Sequence, residues 1–189
     1  MTTPARDLLR PVLAPVALGA ALAALGGWLW WEWWAPPPTG KVYETSVGPT
    51  WYPDPFDPGI TRDFNATATF VVVGFGLALV LGLASGWLAR NRAVPGLAAV
   101  GVASLVGAAV MTVVGLAQSP PDPQDRAGEV AIGTVLPGNL EIGGWTPYLA
   151  WPVGALLGYL VVMLALKPTS LSGGSPRPAP LSSAPGPQG

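Results

Sequence analysis

Residues 68–89 read ATFVVVGFGLALVLGLASGWLA, a run without a single charged side chain. An α-helix rises about 1.5 Å per residue, so about 20 apolar residues cross about 30 Å of hydrocarbon. A buried helix of a soluble protein seldom runs so far without an ionisable group. The stretch therefore predicts a transmembrane span. Three further stretches have the same character, from Pro11 to Trp31, from Val94 to Ala117 and from Tyr148 to Leu166. The predicted fold class is an all-α membrane protein, a four-transmembrane-helix bundle over residues 11–166. Residues 1–10 form a cytoplasmic N-terminus, and two outer loops of about thirty residues occupy 35–67 and 118–147.

Composition supports the spans. Half of the 189 residues are hydrophobic and 10% are charged, against about 25% charged in an ordinary soluble domain. The mean hydropathy is +0.46. Cysteine and histidine are both absent. No disulfide framework, no zinc, haem or copper site of the His/Cys kind, and no Ser-His-Asp or Cys-His nucleophile can be built. No cofactor is expected. No basic patch is large enough for nucleic acid. The preference for Ala, Gly, Pro and Arg over Lys is that of a high-GC genome.

Arg6 and Arg10 before the first apolar run also fit a secretory signal. The run is too long for that, and it ends in Trp28, Trp30, Trp31, Trp33 and Trp34, a poor cleavage site. A retained helix is expected, with Pro11 and Pro15 near its start, where a missing N–H is tolerated. Lys and Arg at the span ends set orientation. With the N-terminus inside, six of nine basic residues are cytoplasmic, among them Arg90 and Arg92 in a tight hinge. Asp7 is the one acidic residue inside, against nine outside. Both termini are then cytoplasmic, in a multi-pass protein of the plasma membrane. The five tryptophans of the first span, with Trp87 and Trp151, are expected to form interfacial belts.

Lipid gives helices no hydrophobic reason to associate, so close contact relies on small residues. Gly74, Ala78, Gly82 and Gly86 form a stripe at four-residue spacing on the second span. Ala150, Gly154 and Gly158 repeat it on the fourth, and Ala99, Ala103 and Gly107 on the third. These stripes predict packing within one bundle; the other reading is a dimerisation face in a homo-oligomer. Pro152 is expected to bend the first turns of the fourth span.

In the loops, Lys41–Val47 and Glu129–Leu136 are rich in β-formers and bounded by Pro or Gly, and predict short strands in a layer that caps the bundle. The tail from Lys167 is rich in Pro, Ser and Gly and is expected to be disordered. Asp54, Asp57 and Asp63, and Asp122, Asp125 and Glu129, are carboxylate clusters with the donor type of a Ca²⁺ site. Their spacing matches no Ca²⁺ loop, and Pro53, Pro55 and Pro58 predict turns, so they read as solvated acidic loops. Glu32, inside the tryptophan belt, reads as lying at headgroup level; the other readings are a pair with Arg62 or a contact with a partner. Asn65-Ala66-Thr67 matches a glycosylation sequon by accident in a bacterial chain. Gly74-Phe75-Gly76 follows no strand and is not a phosphate loop.

Three short motifs carry a resemblance. They are Trp34-Ala35-Pro36-Pro37 with Gly40, Arg92 with Pro95-Gly96, and Gly144 through Trp151-Pro152. With them the chain resembles, over about residues 11–166, a family of four-span actinobacterial membrane proteins known as a domain of unknown function. The resemblance implies a plasma-membrane location and an actinobacterial source. It carries no activity and no site residue.

The functional expectation is a non-enzymatic scaffold or accessory subunit that presents acidic outer loops to a cell-envelope protein. The alternative is a small, oligomeric permease or channel component. An envelope enzyme using loop carboxylates such as Asp54, Asp57 or Asp125 is a third class. Ion-coupled transporters carry ionisable residues at membrane depth, whereas the polar groups here are neutral, as Ser85, Ser104, Thr112 and Tyr159.

Overall fold

A computed structural model describes the backbone of residues 5–55 and 60–166, with the side chains of 13–55 and 64–166. The expected disordered tail, Asp57, and the side chains of Arg62 and Asp63 lie outside the described residues. The chain forms α1 (Ala5–Trp34), β1 (Thr39–Thr45), β2 (Gly48–Pro53), α2 (Ile60–Leu88) and α3 (Ala93–Leu116). Then follow α4 (Pro123–Ala127), β3 (Val135–Pro137), a 3-10 turn (Thr146–Leu149) and α5 (Ala150–Ala165). Four helical segments are long and apolar enough to cross a membrane: Leu13–Trp34, Phe64–Leu88, Ala93–Leu116 and Thr146–Ala165. The three strands make one sheet, in the order β2-β1-β3, built from both long loops.

Several boundaries differ from the sequence expectation, each for a local reason. α1 starts at Ala5, so Pro11 and Pro15 lie within the helix and not at its start. Packing against neighbouring helices makes such interior prolines tolerable. α2 begins at Ile60, well before the apolar run, because its first turns are helical but polar and so lie outside that run. Pro152 stands in the first turn of α5, where its missing N–H removes no intrahelical bond. The irregular stretch at this end is the preceding 3-10 turn.

The helices pair as α2 with α5 and α1 with α3. Glycine decides both contacts. A Cβ on Gly82 would run into the Ala155 carbonyl, and one on Gly158 into the Leu79 carbonyl. On Gly154 it would lie 2.7 Å from the Phe75 carbonyl, and on Gly86 2.9 Å from Val162 Cβ. Ala78 is fully buried beside Gly154. Ala150, at the start of the α5 stripe, is half-buried. On the other pair, a Cβ on Gly27 would sit 2.6 Å from the Met111 carbonyl, and on Gly19 3.1 Å from that of Ala103. The stripes are thus occupied inside one chain.

Large aromatics fill the end of the bundle nearest the sheet. Trp30 is fully buried, its indole lies on Gly115, and its Nε1–H donates to the Ala66 carbonyl at 2.8 Å. Phe70 meets Trp30 edge-on at 5.1 Å and Tyr148 at 5.6 Å. Trp151 is likewise buried, packed on Gly107 and Gly74, with Nε1 3.2 Å from Met111 Sδ. Trp30, Trp34 and Trp151 therefore correct the expected belt: their rings are buried in the protein. An indole offers large apolar area, and a glycine on the facing helix opens the space for it. Trp28, Trp33 and Trp87 are exposed, and Trp31 is partly so.

Candidate functional site

The sheet is the one irregular feature that both long loops build together, and it has two unlike faces. Strand alternation turns Gly40 and Val42 of β1 and Trp51 of β2 to one side, and Tyr43 and Tyr52 toward exposure. Val42 and Trp51 meet Leu136 and Ala127, with Val130 beside them, in a small core separate from that of the helices. Gly40 is required here, since a Cβ would collide with the Trp51 ring and the Tyr52 carbonyl. The Trp51 indole donates Nε1–H to the Leu136 carbonyl at 3.1 Å, tying the two loops together.

The β2 edge is closed by a side chain. Trp51 N–H donates to Gln124 Oε1 at 3.3 Å, and Gln124 Nε2 donates to the Trp51 carbonyl at 2.7 Å. One amide thus satisfies both main-chain groups of an edge residue, which blunts the edge for pairing with another chain. Gln124 is held by α4, whose N-cap Asp122 accepts from the Gln124 N–H at 2.8 Å. The cap joins the bundle by Leu140, buried in the helix core, whose N–H donates to Ser119 Oγ at 2.7 Å. Gly143 N–H also donates to Thr67 Oγ1 at 3.1 Å.

The opposite face carries Tyr43 and Tyr52, 43% and 40% exposed, with ring centroids 6.2 Å apart. Beside them Lys41 Nζ lies 2.5 Å from Asp54 Oδ2. The hydrogen bond to Asp54 raises the Lys41 ammonium above its ordinary value, and the carboxylate charge adds to the effect. Tyr43, Tyr52, Pro53 and Asp54 line a shallow pocket of about 320 Å³. The hairpin turn projects beyond, with Val47 89% exposed. This surface offers two phenol hydroxyls, two flat apolar rings and a carboxylate.

Among the described residues the expected acidic side chains do not converge. Asp54 pairs with Lys41, Asp122 caps α4, and Asp125 and Glu129 are exposed. Among the described residues no three Asp or Glu side chains could hold a metal ion together. Glu32 is exposed on α1. The expected strand at Lys41–Val47 is present as Thr39–Thr45, and it pairs with β2, a strand beyond the sequence expectation. The expected strand at Glu129–Leu136 is corrected to Val135–Pro137, because Gly133 turns the chain with a φ of +87°. Residues 133 and 134 still bond to Val42 across the gap. Comparison of the chain with protein-family models, curated proteins and solved structures finds no match, so no activity passes to it from a relative.

Proposed function

We propose that the chain is a non-enzymatic scaffold or accessory subunit of the plasma membrane whose cap, on the outer side, docks on a cell-envelope protein. The single observation that carries this reading is the exposed Tyr43–Tyr52 pair on a sheet with its own core. Aromatic side chains held on a rigid support supply contact area at low entropic cost, and interfaces are enriched in them. Glu44, Asp54, Asp125 and Glu129 around the cap are exposed and acidic. A partner with a basic, aromatic-accepting surface complements them. Because Gln124 occupies the β2 edge, recognition runs through side chains and not through an added strand.

The interior of the four helices speaks against the permease reading. Trp30, Phe70, Leu81, Val100, Met111 and Trp151 fill it, and a conducting path needs a wet or polar lining. The small-residue stripes, which an oligomeric pore would need at its seams, are taken up between α2 and α5 and between α1 and α3.

The test is cross-linking in the native membrane from a photoreactive residue placed at Tyr43, against one placed at lipid-facing Val102. A cross-linked protein obtained only from the cap position, and lost when Tyr52→Ala is added, supports the reading. Equal yields from both positions, or none from the cap, count against it.

A further inference from the structure

At the opposite end of the bundle, where α2 turns into α3, lies a cavity of about 400 Å³. Its walls include Pro15 of α1, Leu88 and Ala89 of α2, and Pro95 and Gly96 of α3, with Ser85, Asn91 and Arg92 as its polar side chains. Three features of this cavity point to one ligand chemistry. The first is Ser85. It is 1% exposed and its hydroxyl has no hydrogen-bond partner. Other hydroxyls of these helices return a bond to a carbonyl of the preceding turn: Thr69 to Asn65, Ser104 to Gly101, and Thr112 to Ala108. Leaving a buried donor unmade costs about 1–3 kcal/mol, so an oxygen-bearing ligand in the cavity has a donor waiting for it.

The second is the start of α3, a helix of 24 residues whose N-cap, Arg92, makes no side-chain capping bond. Pro95 supplies no N–H and the Gly96 N–H is taken by the Arg92 carbonyl, so the Ala93 and Val94 N–H groups and the positive end of the helix dipole are what favour an anion there. The third is the Arg92 guanidinium at the mouth. It is exposed and makes no ion pair among the described residues, and none of the residues lining the cavity is acidic. Its forked donors match a phosphate. Next to it Arg90 lies over the exposed Trp87 ring at 5.4 Å. Apolar walls behind a cationic mouth do not suit a free, fully hydrated ion. They suit a phosphate that carries hydrocarbon.

We propose that this cavity binds the phosphodiester headgroup of an anionic membrane phospholipid. Arg92 and the α3 N-terminus receive the phosphate, Ser85 Oγ–H donates to a glycerol or ester oxygen, and the acyl chain runs along Leu88. The site is independent of the cap, so failure of either proposal leaves the other standing.

The experiment is native mass spectrometry of the full chain in detergent with phosphatidylglycerol or phosphatidylcholine added at equal concentration. Phosphatidylglycerol should be retained preferentially. Arg92→Gln should weaken retention at least about tenfold, the effect of losing a charge-assisted hydrogen bond. Ser85→Ala should weaken it about fivefold. Arg90→Gln should retain the lipid as the parent does. Ser85→Ala deletes an unpartnered buried hydroxyl, so its melting temperature should not fall, and it decides the matter if Arg92→Gln fails to fold. Retention of phosphatidylglycerol unchanged in Ser85→Ala, or phosphatidylcholine held equally well, overturns the assignment. Displacement of the lipid by millimolar inorganic phosphate would reassign the site to free phosphate and overturns it too.

Discussion

The indole of Trp30 on α1 packs against Gly115 on α3, and its Nε1–H reaches across to the carbonyl of Ala66 on α2. Three helices therefore meet at one side chain. Trp30→Phe keeps most of the apolar area but leaves the donor site empty. It should cost about 1–2 kcal/mol, the sum of a lost hydrogen bond and a small cavity. Gly115→Leu should cost more, since the ring has nowhere to move. Thermal unfolding in detergent measures both, and a Gly115→Leu protein as stable as its parent contradicts this packing.

Glycines of the same helices separate into two kinds. A Cβ on Gly82 meets the Ala155 carbonyl, whereas one on Gly76 or Gly101 meets nothing within 4 Å. Gly82→Ala should push α2 and α5 apart and lower the melting temperature by several degrees. Gly76→Ala and Gly101→Ala should leave it level or raise it, because alanine in a helix interior is favoured by about 0.5–1 kcal/mol. Uniform destabilisation by all three would mean that the stripe has no special place in the fold.

The four long apolar helices were legible because each leaves a long run without charged residues in the sequence. Their ends were not. Ile60–Thr67 extends α2 with residues whose polarity carries no span signal. In the cap, Val42 and Tyr43 announced β1, but Pro49 and Pro53 hid β2. Proline is admissible on an edge strand, and only the structure shows that β2 is one. α4 has five residues, too short for any periodicity, and is set by the Asp122 cap. Trp30 and Trp151 misled for a different reason. Tryptophan near a span end fits an interfacial belt, and the glycines that admit these two rings lie on other helices, where one sequence cannot pair them.

Gln124 is the bracket of the cap. Gln124→Ala removes the two side-chain bonds to the N–H and the carbonyl of Trp51 at the β2 edge. Amide hydrogen exchange at Trp51 should quicken about tenfold, as expected for about 1.4 kcal/mol of lost hydrogen bonding. The bundle should melt unchanged, because the cap core and the helix core share no residue. A fall in the melting temperature of the helices together with the loosened edge would show that the two are one cooperative unit.

The Lys41–Asp54 pair fixes one end of the tyrosine face. Its hydrogen bond raises the Lys41 pKa above the ordinary 10.5. A raised folded value means the contribution is fully present below the unfolded pKa and is lost as pH rises through the folded one. The pair should thus hold at neutral pH, and its contribution should be lost in alkali as Lys41 deprotonates. In Asp54→Asn the Lys41 midpoint, followed by NMR of the side chain, should fall back toward 10.5. An unmoved midpoint would show that the pair does not persist in solution.

Orientation follows from the division of charge between the two ends of the bundle. Arg90 and Arg92 lie in the short α2–α3 turn, whereas the cap end carries most of the acidic residues. Basic residues close to span ends resist translocation, and short loops feel this most strongly. The turn should therefore face the cytoplasm and the cap the outside. Because the chain has no cysteine, single substitutions report cleanly. Val47→Cys places a thiol on the exposed hairpin tip, and Asn91→Cys places one on the exposed helix turn. A membrane-impermeant maleimide should label the first variant in intact cells and the second only after permeabilisation. The reverse pattern would invert the molecule, put the tyrosine face in the cytoplasm and remove the envelope partner, while the phospholipid cavity would face the outer leaflet.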